Sequence, residues 1–162
     1  FILWVLISNQ KKLLRHKKEE YMRKIAREIA FMMIYEGMFN KETDVELSFN
    51  DFSTEKEIMG DNKLDLDDET FSKQLVCLYD ANKEKIETMI KNNLFGYEPE
   101  RVYKIDMALL CLAVAEIYYY KTPSNIVINE IIEIAKKYST DKSSKFINGI
   151  LGAIIKENPV EE

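Results

Sequence analysis

The chain has 162 residues, 46% of them hydrophobic and 31% charged, which is enough for one folded domain with a sizeable core and excludes a disordered composition. Five glycines and three prolines are few for this length, which disfavours a turn-rich β-sandwich and favours helices. The net charge of −5 is unevenly spread: residues 1–27 hold eight Lys/Arg and two Glu (+6), which leaves −11 on residues 28–162. This asymmetry indicates a localised anionic partner and disfavours a protein that coats nucleic acid over its whole surface.

The first 21 residues differ in character from the rest of the chain. An unbroken apolar run from Phe1 to Ile7 is followed by a basic run from Lys11 to Lys18. A signal peptide has these two features in the opposite order, and a membrane-spanning helix needs about 20 apolar residues. We therefore expect a cytoplasmic protein without a membrane anchor.

The stretch MRKIAREIAFMMIYEGMF, residues 22–39, predicts the first helix. Ile25, Ile29 and Met32 form an apolar stripe at helical spacing, with small residues beside it where another helix can approach closely. Cations at the start of a helix oppose the helix dipole, so a basic cluster at this position indicates a functional use. The cluster consists of Arg23, Lys24 and Arg27.

The middle of the chain is less regular. Residues 42–69 are acidic and only partly apolar, which predicts a poorly defined helix, a loop through Gly60-Asp61-Asn62 and a solvated acidic face. Residues 67–100 have helical spacing of their apolar positions and predict one or two helices that end at Gly96 and Pro99.

Residues 101–121 are apolar almost all round between Ile105 and Tyr120, a pattern typical of the buried central helix of a bundle. Two acidic residues, Asp106 and Glu116, interrupt this pattern and argue against a membrane span. We expect each of these two carboxylates to make a capping or inter-helix hydrogen bond.

Two amphipathic helices follow Pro123, and either Asp141 or Ser143 is expected to cap the second of them. No strand-like alternation of useful length and no internal repeat is present in the sequence. The predicted fold class is therefore all-α, a compact bundle of about six or seven helices.

The sequence offers little material for catalysis. It contains no phosphate-binding glycine motif, no nucleophile elbow and no zinc-protease motif, and His16 is the only histidine. Cys77 and Cys111 lack metal-ligand spacing, so we expect two buried free thiols in a reducing compartment. These observations predict a binding protein rather than an enzyme, with no metal and no cofactor.

Three ordered blocks resemble the NusB family of bacterial transcription antitermination proteins. The stretch TPSNIVINEIIEIAKKYSTDKSSKFINGILGAI (122–154) is similar to the family signature near the C-terminus. The stretch RKIAREIAFMMIYE resembles the family's opening Arg-rich helix, and KIDMALLCLAVAEI resembles its central block. The resemblance covers roughly residues 22–157, and three blocks in the same order are far more specific than any one alone.

This resemblance implies a fold of two packed helical sub-bundles and a role in transcription. It implies that the protein binds single-stranded boxA RNA as a heterodimer with NusE, a small-subunit ribosomal protein. The resulting antitermination complex lets RNA polymerase read through terminators, chiefly in ribosomal RNA operons.

The resemblance also implies which residues contact RNA. The basic cluster on the first helix matches the family's Arg-rich start, and a second region lies near residue 145, where an aromatic ring beside a base would stack, a contact worth about 1–3 kcal/mol. Core packing is an equally good account of Phe146 and the better account of Tyr35. Another set, Asn129, Glu130, Asn148 and Gly149, is expected to be structural, with buried amides that bridge helices and a glycine that permits close approach. The candidate RNA-binding residues are Arg23, Lys24, Arg27, Tyr35, Lys142, Lys145 and Phe146.

Two other functions remain open at this point. The chain can be a helical protein–protein interaction module, or a homodimer, without RNA binding. It can also be the RNA-binding N-terminal domain of an rRNA cytosine methyltransferase. That enzyme requires a large cofactor-binding domain after this one.

Residues 1–21 lie outside the part that resembles the family, and residues 22–162 are expected to form a single helical domain. The segment Lys-Lys-Glu-Glu-Tyr-Met ends at Met22 and can be encoded by a sequence that contains a ribosome-binding site just before an ATG codon. We therefore interpret residues 1–21 as an upstream extension translated from a start assigned too early, with a disordered arm as the alternative. Under this interpretation the basic cluster that matters is confined to the first helix of the domain.

Overall fold

The computed structural model describes residues 2–161, and its path is helical almost throughout. Short turns connect the helices: a 3₁₀ turn at Pro99–Arg101, and a π-helical turn at Glu116–Tyr120 that continues the fifth helix. No strand occurs in this described part of the chain, so the predicted all-α bundle of six or seven helices is confirmed. The helices are α1 (Ile2–Gly37), α2 (Val45–Thr54), α3 (Lys56–Met59), α4 (Leu66–Lys91), α5 (Lys104–Ala115), α6 (Ser124–Tyr138) and α7 (Ser143–Glu157).

Helix α5 lies at the centre, as its all-round apolar sequence predicts. Every side chain from Ala108 to Ala115 is fully buried. Helices α1 and α4 pack on α5 from the N-terminal half of the chain, and α6 and α7 pack on it from the C-terminal half. The two predicted sub-bundles therefore share one continuous core, with α5 between them.

Helix α1 is longer than the sequence pattern indicates. It begins at Ile2 rather than near Met22, and it ends at Gly37. Nearly every side chain before Met22 is exposed, including Trp4 at 70%, whereas Met22 is buried at 6%. The prediction of a helix confined to 22–39 is therefore wrong at its start, because helix propensity extends the helix into a segment without tertiary packing.

The acidic middle of the chain folds into two short helices. Asp44 caps α2 by accepting a hydrogen bond from the Leu47 backbone N–H at 2.9 Å, and Gly60 ends α3 with a positive φ of 57°. Helix α4 then runs as one element with a kink at Asn82, where the backbone leaves helical geometry. The predicted loop at residues 60–62 and the predicted helix after residue 67 agree with this path, but α4 ends at Lys91 and not at Gly96.

The two cysteines have different environments. Cys111 is fully buried in α5, and burial raises the pKa of its thiol to about 12. Cys77 is exposed on α4, so the expectation that both thiols are buried is wrong for Cys77. It follows Leu75 and Val76, which are buried, and the helical turn carries the next position out to solvent.

No helix in the described residues is long and apolar enough to cross a membrane. Among residues 2–161, no group of three or more His, Cys, Asp or Glu side chains is arranged to hold a metal ion.

Deleting residues 1–21 is expected to change the free energy of unfolding by less than about 1 kcal/mol, because this segment buries little apolar surface against the body. Deleting residues 1–25 removes the buried Met22 and Ile25 as well and is expected to cost about 2–5 kcal/mol. Urea unfolding followed by circular dichroism measures both. If deleting residues 1–21 alone lowered the free energy of unfolding by about 2–5 kcal/mol, this segment would be part of the stable domain.

Candidate nucleic-acid interface

The basic cluster of α1 does not form one uniform surface. Arg23 and Arg27 are one helical turn apart and point towards α4 and α5, while Lys24 lies at the edge nearest α6. The side chains of Arg23 and Lys24 are 36% and 44% exposed, but that of Arg27 is only 5% exposed.

Arg27 is held by a buried bidentate ion pair with Glu116. Its Nε donates to Glu116 Oε2 at 2.8 Å and its Nη2 donates to Glu116 Oε1 at 2.7 Å. The remaining Nη1 lies 3.6 Å from Glu130 Oε2. The expected inter-helix hydrogen bond of Glu116 is confirmed, and its partner is a residue that the sequence had placed among the RNA contacts.

Arg23 and Lys24 are also paired with acids, though more loosely. Arg23 Nε lies 3.2 Å from Asp68 Oδ1, and its guanidinium carbon lies 4.2 Å from the centroid of the Phe71 ring. Lys24 Nζ lies 3.7 Å from Glu130 Oε1. Burial raises the pKa of Asp68, and the nearby Arg23 guanidinium opposes that shift.

A groove of about 400 Å³ separates residues 20–27 of α1 from α6, and it is open to solvent. Its basic wall belongs to α1, and its opposite wall carries amide, carboxylate and apolar side chains of α6. The lining residues are Glu20, Arg23, Lys24, Arg27, Ile126, Asn129 and Glu130.

A second basic region lies at the start of α7. Lys142 and Lys145 are exposed, and among the described residues neither has an ion-pair partner. Phe146 is half-buried, and its ring meets the ring of Tyr97 edge to face at a centroid distance of 5.1 Å. The ring is therefore partly core and partly surface, in accordance with both sequence interpretations.

A small cavity of about 190 Å³ opens beside Phe146. Tyr97, Arg101 and Tyr103 line it, and all three are exposed. The chain reaches this place through Phe95 and Gly96, which both have positive φ, and at Gly96 the value of 90° favours glycine. Sequence reasoning missed these three residues; the available signal was two tyrosines in the polar stretch 96–104.

The start of α7 is fixed by a buried carboxylate of α5. Asp106 accepts hydrogen bonds from the Ser139 hydroxyl at 2.5 Å and from the Ser143 hydroxyl at 2.8 Å. The inter-helix hydrogen bond expected of Asp106 is confirmed. No side chain caps α7 at its first turn, so the expected cap by Asp141 or Ser143 is wrong, because the Ser143 hydroxyl is bound to Asp106 instead.

Tyr35 lies in a different groove from the basic cluster. Its ring meets the Phe39 ring at 5.1 Å, and a strongly apolar groove of about 480 Å³ extends from both rings to Ile105 and Tyr138. Glu28 connects this region to α6 by accepting hydrogen bonds from Tyr138 and Lys137.

The structural role expected of Asn129, Asn148 and Gly149 is wrong. All three are exposed, and apart from its chain neighbours and its own helix backbone no atom lies within 4 Å of the position where a Cβ on Gly149 would stand. Amides at these positions bridge no helices here, because α6 and α7 turn these positions to solvent. Asn129 instead lines the groove beside Lys24.

The fold and these surfaces define a class: an all-α protein whose surface carries two separate clusters of cations with aromatic rings, suited to a polyanion. The chain belongs to the NusB family, whose model matches residues 24–156. It is 36% identical over 135 residues to transcription antitermination protein NusB of Finegoldia magna, a match that covers 83% of this chain and 93% of the relative. It is 40% identical over 114 residues to NusB of Listeria innocua, covering 70% and 88%.

Solved structures agree with this assignment. T. maritima NusB superposes with a TM-score of 0.71 at 28% identity, covering 83% of this chain and 91% of that one. A chain from a crystal structure of antitermination factors NusB and NusE in complex with dsRNA superposes with a TM-score of 0.72 at 30% identity, covering 85% and 98%.

Replacing Arg27 with Met is expected to lower the free energy of unfolding by about 3–5 kcal/mol, because it leaves the Glu116 carboxylate buried without its counterion. The double variant R27M/E116L should regain most of this loss, since both charges of the fully buried pair are removed and Glu130 keeps Lys24 as a partner. Urea unfolding at neutral pH measures these differences.

The matched control is Lys136→Met, which removes the cation of an exposed pair with Glu133 at 3.1 Å and should cost at most about 1 kcal/mol. A loss for Arg27→Met as small as that of the control would contradict the structural role given to the Arg27–Glu116 pair.

Proposed function

We propose that this protein is an RNA-binding transcription antitermination factor. It binds single-stranded boxA RNA of ribosomal RNA operons together with NusE, and this assembly promotes read-through by RNA polymerase. The observation that carries the proposal is the pair of basic clusters, one at residues 23–27 of α1 and one at the start of α7, each combined with aromatic side chains. Family membership and the resemblance to a NusB chain solved with NusE and RNA support it.

The first cluster has the chemistry of a phosphate site. Arg23 and Lys24 each leave part of their donor capacity open to solvent at the edge of the α1–α6 groove. The paired acids, Asp68 and Glu130, keep these cations near the body without burying them. A phosphate group can therefore approach both cations from the solvent side.

The second cluster adds a surface for bases. Lys142 and Lys145 provide charge, and the rings of Tyr97, Tyr103 and Phe146 provide faces and edges against which unpaired bases can stack. Single-stranded RNA exposes its bases for such contacts, whereas a duplex keeps them stacked inside.

Arg27 and Tyr35 have roles other than phosphate contact in this proposal. Arg27 fixes this part of α1 against the end of α5 through Glu116, so it supports the neighbouring Arg23 and Lys24 from below. Tyr35 lines the apolar groove, which suits a protein or a base edge better than a phosphate.

NusE is part of the proposal because the chain's own electrostatics favour RNA only locally. The body after residue 27 carries −11, which repels a polyanion beyond the two clusters. A partner that binds RNA at the same time supplies further contacts and raises affinity through effective concentration. On this account the protein is a cytoplasmic binding factor rather than an enzyme.

Replacing Arg23 with Ala is expected to weaken boxA RNA binding about tenfold, because one charge-assisted phosphate contact is lost. The slope of log affinity against log salt should become shallower by about 0.7, the value for one phosphate contact on a single strand. Replacing Lys145 with Ala should have a similar effect. Fluorescence anisotropy with labelled boxA RNA, with and without NusE, measures both quantities.

The matched control is Lys56→Ala on α3, a helix that packs on α2 and belongs to neither cluster. It makes the same change in net charge and should leave affinity nearly unchanged. Equal effects of all three variants would mean that only net charge matters. An absence of RNA binding with and without NusE would favour a protein–protein interaction module instead.

A further inference from the structure

Arg23 has surroundings that the other exposed cation of the α1 cluster lacks. Its guanidinium carbon lies 4.2 Å from the centroid of the Phe71 ring, and its Nε lies 3.2 Å from Asp68 Oδ1. Lys24 has no aromatic partner among the described residues, only a carboxylate at 3.7 Å.

The two groups that hold Arg23 are themselves fixed. Phe71 is 3% exposed, and its ring meets the Tyr120 ring edge to face at 5.0 Å. The guanidinium carbon of the buried Arg27 lies 5.2 Å from the same ring. Asp68 is 6% exposed and stands in the first turn of α4, where its backbone N–H donates to the Asp65 side chain at 2.8 Å. Two buried side chains, Phe71 and Asp68, therefore support the partly exposed Arg23.

This arrangement leaves one edge of the guanidinium available. The carboxylate stands beside the Nε edge and the ring lies against the group, while no hydrogen bond from the Nη atoms is present within residues 2–161. The two Nη atoms of an arginine match two oxygens of a phosphate in a bidentate contact. Fixing the guanidinium before binding lowers the entropy that such a contact costs.

We propose that Phe71 and Asp68 are positioning residues that orient Arg23 for bidentate recognition of an RNA phosphate through Nη1 and Nη2. This inference rests on the proposed RNA-binding function and deepens it. Lys24 then acts as a charge without directional preference. Asp68 then raises RNA affinity by orienting Arg23, although its negative charge repels the phosphate.

The first experiment separates orientation from charge. Arg23→Lys keeps the charge but has no planar fork, so boxA RNA affinity should fall about tenfold while the salt slope stays the same. Phe71→Leu should cause a comparable loss, and the double variant R23K/F71L should bind no more weakly than the worse single variant. The matched control is Lys56→Arg on α3, outside both clusters, which should bind like the wild type. Thermal melts by circular dichroism establish that each variant is folded.

The second experiment does not disturb the core ring. Asp68→Asn raises the net charge by one yet should weaken RNA binding several-fold, because Arg23 loses its anchor. The matched control is Glu69→Gln, the next residue of α4, which pairs with Lys73 at 2.7 Å and should bind as well as the wild type or slightly better.

Four results would overturn the proposal. Wild-type affinity for Arg23→Lys would show that Arg23 acts by charge alone. Losses that multiply in the double variant would show that Phe71 acts independently of Arg23. Tighter binding by Asp68→Asn would show that this acid competes with RNA. Unchanged affinity for Arg23→Ala would remove the RNA contact at α1 altogether, and only this last result also counts against the proposed function.

Discussion

The buried ion pair between Arg27 and Glu116 is the interaction on which the arrangement of the α1 surface depends. Two charged groups can lie in a helical core only when each satisfies the other, and here two hydrogen bonds of 2.7 and 2.8 Å do so. This requirement fixes the rotation and the axial position of α1 against α5. Arg23, one turn earlier, is consequently placed over Phe71 and beside Asp68.

The same principle operates at the other end of α5. The helix and its π-helical continuation carry two fully or almost fully buried acids in an otherwise apolar stretch, Asp106 in the first turn and Glu116 where the π turn begins. Glu116 anchors α1 at Arg27, and Asp106 anchors the start of α7 through Ser139 and Ser143. Each basic cluster is thus attached to the central helix through one buried carboxylate. The two clusters have a common rigid support, although they are far apart in the sequence.

Much of the fold follows from the sequence because helical periodicity and an all-round apolar segment identify α5, α6 and α7 directly. The same local reasoning places the inter-helix bonds of Asp106 and Glu116. It fails where tertiary partners decide the outcome. The burial of Arg27 depends on a carboxylate 89 positions away in the sequence, which no local pattern contains.

The other differences have similar causes. The helical extension before Met22 needs no tertiary partner, so the apolar periodicity of the core does not delimit it. The exposure of Cys77 and Asn148 depends on which face of a helix meets a neighbour. Tyr97 lies beside Phe146 only because the chain reverses at Phe95 and Gly96. The family resemblance predicted both basic clusters, but the side chains packed against them are identified only by the structure.

We propose that one RNA strand contacts both clusters, which share α5 as their support. The most direct test is a titration of ¹⁵N-labelled protein with boxA RNA, followed by the backbone amide signals and the arginine Nε signals. The account predicts that Arg23 Nε and the amides of Lys145 and Phe146 shift at the same RNA concentration, while the amides of α2 and α3 stay in place. Shifts confined to one cluster, or to residues outside both, would contradict it.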